Sequence, residues 1–379
     1  MVRDKFKRYA QDVRAASDQV MEQIRTRLSD MPSGQTLVVN LGENHWNANH
    51  VMVGIEVARA LKKEGVSFVS AGEIPVNTID QYVAGNRPDG SAPGLRQFFS
   101  QSDNQQQRAS LSAAAYPHMV HRIPLSKALY AHVLNRQGTS SYAVDVPRTD
   151  DHASINIHDA GALKSVREAG KLLGLNPSSV IAGHPKTTGL DYAEGSMTTE
   201  QENIGVVARN IHMKEACDQL SENIDGVRVI LLRTGMMHVA GDREADIGYN
   251  GSLADLYADD PNAHYLGVNL YHGDGERDKV LWQEADDNSD ICYAMVPCGE
   301  AFYAKTSPQW DGKDEAKHIA QLSKHLGNKG DLRLPGWGRD TSRILEVPAR
   351  VKSVVDEDIT ALIKGGALEK RVPEPIPEP

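Results

Sequence analysis

One short run constrains this fold more than any other stretch: Val227-Arg228-Val229-Ile230-Leu231-Leu232, almost wholly apolar. It is bounded by Asp225-Gly226 before it and Arg233-Thr234-Gly235 after it. A run this short, rich in β-branched and branched residues, suits a strand buried on both faces, and a parallel sheet covered by helices on each side provides that burial. The long segment before it, Glu200 to Asn223, reads as one helix. Helix followed by buried strand is the repeating unit of α/β proteins.

The same alternation opens the chain. Phe6, Tyr9, Val13, Val20, Ile24 and Leu28 recur at near-helical spacing and predict an amphipathic helix over 4–29, ended by Met31-Pro32-Ser33-Gly34. Leu37-Val38-Val39 reads as a strand, Asn47 to Lys63 as a helix, and Val66-Ser67-Phe68-Val69 as a second strand after Gly65. A strand–helix–strand crossover implies parallel pairing. Tyr142-Ala143-Val144, Val180-Ile181-Ala182, Tyr265 to Leu270 and Ile291 to Val296 are further strands. A helix is expected over 160–173, a short one from Gly251 to Leu256, and a loop from Gly183 to Thr199. The expected fold class is therefore α/β: a mostly parallel sheet with helices on both faces, helical insertions and a C-terminal extension. Its parts are an N-terminal helix (1–30), an α/β domain (31–300) with a polar helical insertion (85–140), a helical extension (301–370) and a disordered Pro/Glu-rich tail (371–379).

Composition narrows the function classes. A net charge of −10 argues against a nucleic-acid surface, which needs clustered Lys and Arg. Three cysteines, Cys217, Cys292 and Cys298, without Cys-x-x-Cys spacing support neither a disulfide framework nor a zinc site. The first residues carry charges throughout and no apolar signal core, and no run reaches the length of a membrane span. A cytoplasmic location is expected, with export or injection lacking a cleaved signal as the alternative. The partner expected is a small-molecule or peptide substrate.

In parallel sheets the ligand sits beyond the carboxyl ends of the strands. Four apolar runs here are followed by polar groups: Gly42-Glu43-Asn44-His45, Gly72-Glu73, Asp145-Val146-Pro147-Arg148, and Arg233-Thr234-Gly235-Met236-Met237-His238. Any one of these is commonly no more than a helix cap; four at one edge point to a site. A histidine beside carboxylates serves as a general base, a desolvated Glu serves as an acid, and two His with two Glu hold a divalent metal. Sequence leaves these three open. Arg209 shares a helix face with Met213, and from there it either binds an anionic group or pairs with a Glu, while Met213 reads as core. His50 reads as structural, His118, His121 and His132 as scattered surface histidines, and His152 and His158, which follow the third strand, as more often outside the site than in it. No Gly-x-Ser-x-Gly elbow, phosphate loop or dinucleotide fingerprint is present, and Asp286-Asp287-Asn288-Ser289-Asp290 lacks the later residues of a calcium loop.

These motifs resemble the superfamily that joins erythromycin-esterase-like enzymes, ChaN-like haem-uptake proteins and the Tiki/TraB proteases. The resemblance rests on Gly-x-x-His twice (Gly42–His45, Gly235–His238), Glu73 after the second strand, and the Arg209-x-x-x-Met213 helix before the last motif, over about residues 36–260. The esterase branch implies His45 as the base that activates water, with Glu73 beside it. The Tiki branch implies a metal-dependent protease with His45, His238 and Glu73 as ligand candidates for Mn, Co or Zn. The ChaN branch associates the same edge with haem. The chain departs from the esterase motif, which has one more residue before its His, and from the exported Tiki branch, whose signal and anchor it does not show. The expected function is a hydrolase of ester or peptide bonds built on His45, Glu73, Glu43, His238 and Arg209. The alternatives are a haem- or small-molecule-binding protein of the ChaN type and a bacterial toxin or effector domain.

Overall fold

The computed structural model describes residues 2–43, 47–75, 130, 134, 139–147, 154–176, 189–191, 199–240, 251–258, 260–261, 264–271, 281–285, 288–296 and 321–327. In chain order the elements are α1 (Val2–Asp30), β1 (Leu37–Glu43), α2 (Ala48–Lys63), β2 (Phe68–Pro75), β3 (Ser141–Asp145), β4 (Ser154–Asn156), α3 (Ala160–Leu172), β5 (Gly189–Asp191), α4 (Thr199–Asn223), β6 (Val229–Gly235), α5 (Met237–Ala240), α6 (Leu253–Ala258), β7 (His264–Tyr271), β8 (Leu281–Ala285) and β9 (Asn288–Met295), then a helix α7 over residues 321–326.

The main sheet has the order β3-β2-β6-β1-β7-β9-β8. All pairs are parallel except the edge strand β8, which runs antiparallel to β9. Strand β6 is inserted between β1 and β2: Glu43 lies opposite Gly235, Leu41 opposite Arg233, and Gly72 on the other side also opposite Arg233. That insertion brings the ends of three sequence-distant segments to one edge. A second, two-stranded sheet pairs β4 with β5.

Period-two alternation splits the sheet residues between two cores. Leu37, Val39, Leu41, Val229 and Leu231 face α1, α2 and α7, joined by Tyr130 and Leu134. Val38, Val69, Ala71, Ile230 and Leu232 face α4 and α6. Helix α3 packs against α4 in a third cluster with Val166, Ala169 and Val207. The expected mostly parallel sheet with helices on both faces is therefore the observed one. The apolar residues predicted for the first helix, Phe6 through Ile24, are buried against the sheet, with Leu28 packed at their margin. Helix α2 starts where its cap dictates, Asn47 accepting from the Asn49 N–H.

Several boundaries differ from expectation. The run Val227–Leu232 does not end its strand: β6 starts at Val229 and continues through Arg233, Thr234 and Gly235. Strands β1 and β2 likewise include Glu43 and Glu73. Charged residues remain in strand because each finds an ion partner inside the protein, as the site shows. The stretch expected as loop from Gly183 contains β5, and Thr199 already belongs to α4. The strand expected at Val180–Ala182, most of the 85–140 insertion, most of the 301–370 extension and the 371–379 tail lie outside the described residues.

The first Gly-x-x-His glycine has a packing reason. A Cβ on Gly42 would lie 2.3 Å from Asn269 Oδ1, 2.5 Å from Val239 Cγ2 and 3.0 Å from the Met236 backbone. Helix α5 and β7 therefore approach β1 closer than any side chain allows. Gly42→Ala is expected to lower stability by about 1–3 kcal/mol, the usual range for overpacking a rigid core. Urea unfolding measures it, and an unchanged midpoint would refute the close-packing account.

Candidate functional site

Two charged systems occupy the carboxyl edge, one on each face of the sheet. On the α2 face, Glu43 and Arg233 project in line with Leu41 and Leu231. Arg233 donates to Glu43 through Nε (3.1 Å) and through one terminal nitrogen to both oxygens (2.8 and 2.6 Å). Both residues are buried. The Tyr130 ring stacks on the guanidinium, 3.9 Å from its carbon, and its hydroxyl meets Ser70 Oγ at 3.2 Å. Charge, planarity and donor geometry are thus matched on every side, which a buried ion pair requires.

On the α4 face, Glu73 continues the alternation of Val69 and Ala71. Arg209, one turn before Met213 on α4, donates to Glu73 Oε1 and to Asp145 through Nε (3.0 Å) and a terminal nitrogen (2.7 Å). The other Glu73 oxygen accepts the Gly235 N–H at 2.6 Å. His238, on α5, directs Nε2 toward Glu73 Oε1 at 3.5 Å, and its Nδ1 lies 2.6 Å from Asn210 Oδ1. Glu73 and Arg209 are about one-tenth exposed, and His238 half that. Burial lowers the His238 pKa below the ordinary 6.5; the Glu73 carboxylate pulls it back up and the Arg209 guanidinium pushes it further down. The neutral ring therefore prevails at neutral pH.

Of the residues singled out from sequence, Glu73, Arg209 and His238 meet. Glu43 faces the other core, and His45 lies outside the described residues. Met213 is core and His50 is buried on α2, as expected; His158 is exposed. Sequence reasoning placed Asp145 at a strand end but did not pair it with Arg209. It missed Asn210, Tyr130 and Asn269. Asn269 is fully buried near the end of β7, and among the described residues neither of its amide atoms finds a hydrogen-bond partner. The signal available for the first of these was its place directly after Arg209 on α4.

A metal does not fit the described donors. Among the described residues no group of three His, Cys, Asp or Glu can hold a metal ion. Glu73 Oε1 is held by a guanidinium, Oε2 by an amide N–H, and His238 Nδ1 by Asn210, so a dication would compete with a fixed positive charge. Thiol chemistry at Cys217 is likewise disfavoured, because burial pushes its pKa up to about 12.

No protein-family profile matches the chain, and no curated protein matches it. Among solved structures, one titled "Cofacial heme binding to ChaN of Campylobacter jejuni" is distantly similar: 14% identity, 73% of this chain and 91% of that chain covered, TM-score 0.36. At that score residues of the two chains cannot be equated. Among the described residues no helix is long and apolar enough to cross a membrane.

Removing one partner of the Glu43–Arg233 pair strands a buried charge, so Glu43→Ala should lower stability by about 3–5 kcal/mol, while the double variant Glu43→Leu/Arg233→Met recovers most of it; equal losses in both would disprove the pairing. His212 on α4 is also held below 6.5 by burial, opposed by Asp145, and among the described residues its Nδ1 has no partner. A histidine depressed on folding takes up its proton in the unfolded chain first. Stability therefore falls as pH drops from 6.5 toward the lower folded values of His212 and His238, and levels below them. Urea titrations across that window should show a shallower fall in His212→Gln than in wild type.

Proposed function

We propose that the chain is a hydrolase in which His238, backed by Glu73, withdraws a proton from the attacking water. The observation that carries this is the placement of Nε2 of a buried, neutral histidine 3.5 Å from a carboxylate that is already fixed by Arg209 and the Gly235 N–H. When Nε2 takes the proton, the imidazolium forms beside a negative charge that need not reorganise. Arg209 holds Glu73 and Asp145 as anions, so neither drifts toward the reacting atoms. The water oxygen then bonds to the acyl carbon, the proton passes from His238 to the leaving oxygen or nitrogen, and that bond breaks. His45, two residues beyond β1, belongs in the same variant set by its place in the motif.

Hydrolysis of p-nitrophenyl acetate and of a dye-labelled peptide mixture tests this. His238→Ala and Glu73→Gln should each lower the rate about 100-fold or more with folding retained. The acidic limb of the rate should have its midpoint below 6.5, because His238 is depressed by burial and by Arg209 against the pull of Glu73 and Asp145. Full activity in both variants would sink the assignment. A wild-type protein that hydrolyses neither probe, but gives a haem Soret band lost in His238→Ala, would replace it with a binding protein.

A further inference from the structure

We infer that Asn210 is the positioning residue that makes His238 a proton acceptor at Nε2, by holding the ring in its Nδ1–H tautomer. This deepens the hydrolase proposal and rests on it for its catalytic meaning, although the tautomer itself is a property of the resting protein.

The contacts that fix Asn210 begin one layer behind the site. Ser252 and Asp255 form a reciprocal cap at the start of α6: the Asp255 N–H donates to Ser252 Oγ at 3.2 Å, and Asp255 Oδ2 accepts from the Ser252 N–H and hydroxyl at 2.9 and 2.7 Å. The same carboxylate oxygen accepts the Gly251 N–H at 3.0 Å. Gly251 has φ +108°, a region closed to other residues, and a Cβ there would lie 2.8 Å from both Leu172 and Val207. The Gly251 carbonyl is thereby fixed in direction. It accepts from Asn210 Nδ2 at 2.8 Å. A carbonyl offers no proton, so the Asn210 amide has one allowed orientation, with Nδ2 toward Gly251 and Oδ1 toward His238. Oδ1 in turn offers only lone pairs, so His238 Nδ1, 2.6 Å away, must carry the proton. In the neutral ring Nε2 is then bare. It cannot stabilise a developing oxyanion by donating a hydrogen bond, and it is ready to accept a proton while facing Glu73. Asn210 is fully buried, so water does not offer the ring another partner at that nitrogen.

Long-range proton–nitrogen correlation spectra of protein carrying nitrogen-15 histidine read the tautomer without any substrate. The His238 signal is identified by its loss in His238→Ala. In wild type above the titration midpoint, Nδ1 should appear protonated and Nε2 bare. Asn210→Ala should shift the ring toward the Nε2–H form that free histidine prefers. Asn210→Asp gives up the donation to the Gly251 carbonyl but keeps an acceptor toward Nδ1, so it should keep the Nδ1–H form. It should also raise the titration midpoint by adding a negative charge beside a ring that already faces Glu73, Asp145 and Arg209. If Asn210→Ala does not fold, the Asn210→Asp spectrum carries the test. An Nε2–H ring in wild type, or a wild-type pattern in Asn210→Ala, would overturn the inference. With p-nitrophenyl acetate, Asn210→Ala should lose about 100-fold in rate, and Asn210→Asp should recover part of it with the acidic limb moved upward. Failure of wild type to hydrolyse any probe, with the Nδ1–H pattern present, would reject the hydrolase proposal and leave the lock standing.

Discussion

The position of β6 between β1 and β2 is the constraint on which the rest depends. Had β6 been added at an edge, Arg233 would not stand beside Glu43, and the Gly235 N–H would not reach Glu73. Because β6 is central, its end delivers one cation and one amide donor to carboxylates arriving from strands on either side. The short helix α5 follows at once and is tied down by the Met236 N–H donating to the Glu43 carbonyl at 3.2 Å. His238 is therefore placed by strand order and not by a long flexible loop.

Buried charge is tolerable here because each carboxylate meets a matched donor set. Glu43, Glu73 and Asp145 are held by two arginines and two backbone N–H groups, the second of which is Val146 N–H on Asp145 at 2.8 Å. The two systems share an edge but not a face, and the sheet between them is filled by apolar residues. They are suited to different work. The Glu43–Arg233–Tyr130 stack clamps a residue of the insertion onto the sheet and fixes the residue that immediately precedes Asn44-His45 in the sequence. The Glu73–Arg209–Asp145 group supports a neutral histidine with one nitrogen turned toward an anion.

A polar layer also runs beneath α5 on the α4 face. Thr234 donates to Asn40 Oδ1 at 3.0 Å, and Asn40 donates to the Tyr265 hydroxyl at 3.1 Å. Such satisfied buried contacts specify register, because a one-residue slip would carry every polar side chain to the other core. Asn269 departs from this pattern: among the described residues its fully buried amide has no hydrogen-bond partner. Leaving a buried polar group without a partner costs about 1–3 kcal/mol.

The sequence by itself determined the class of fold, the phase of α1, the extents of α2 and α4, and the strands whose apolar residues stand in unbroken runs, since periodicity and burial of such runs are local properties. It also marked Glu43, His45, Glu73 and His238 as residues of one edge and Arg209 as a helix residue able to reach it. It did not disclose β4, β5 or β8, which are short or carry polar residues and take their strand form from pairing. Nor did it disclose where β1, β2 and β6 end, because a charge closes a strand unless a partner from elsewhere neutralises it. Only the tertiary structure decided that Glu43 and Glu73 face opposite cores, that Arg209 bridges Glu73 to Asp145, and that Asn210 meets His238. These depend on strand order and on one positive-φ glycine holding a carbonyl, and such relations exist only once distant segments are packed together.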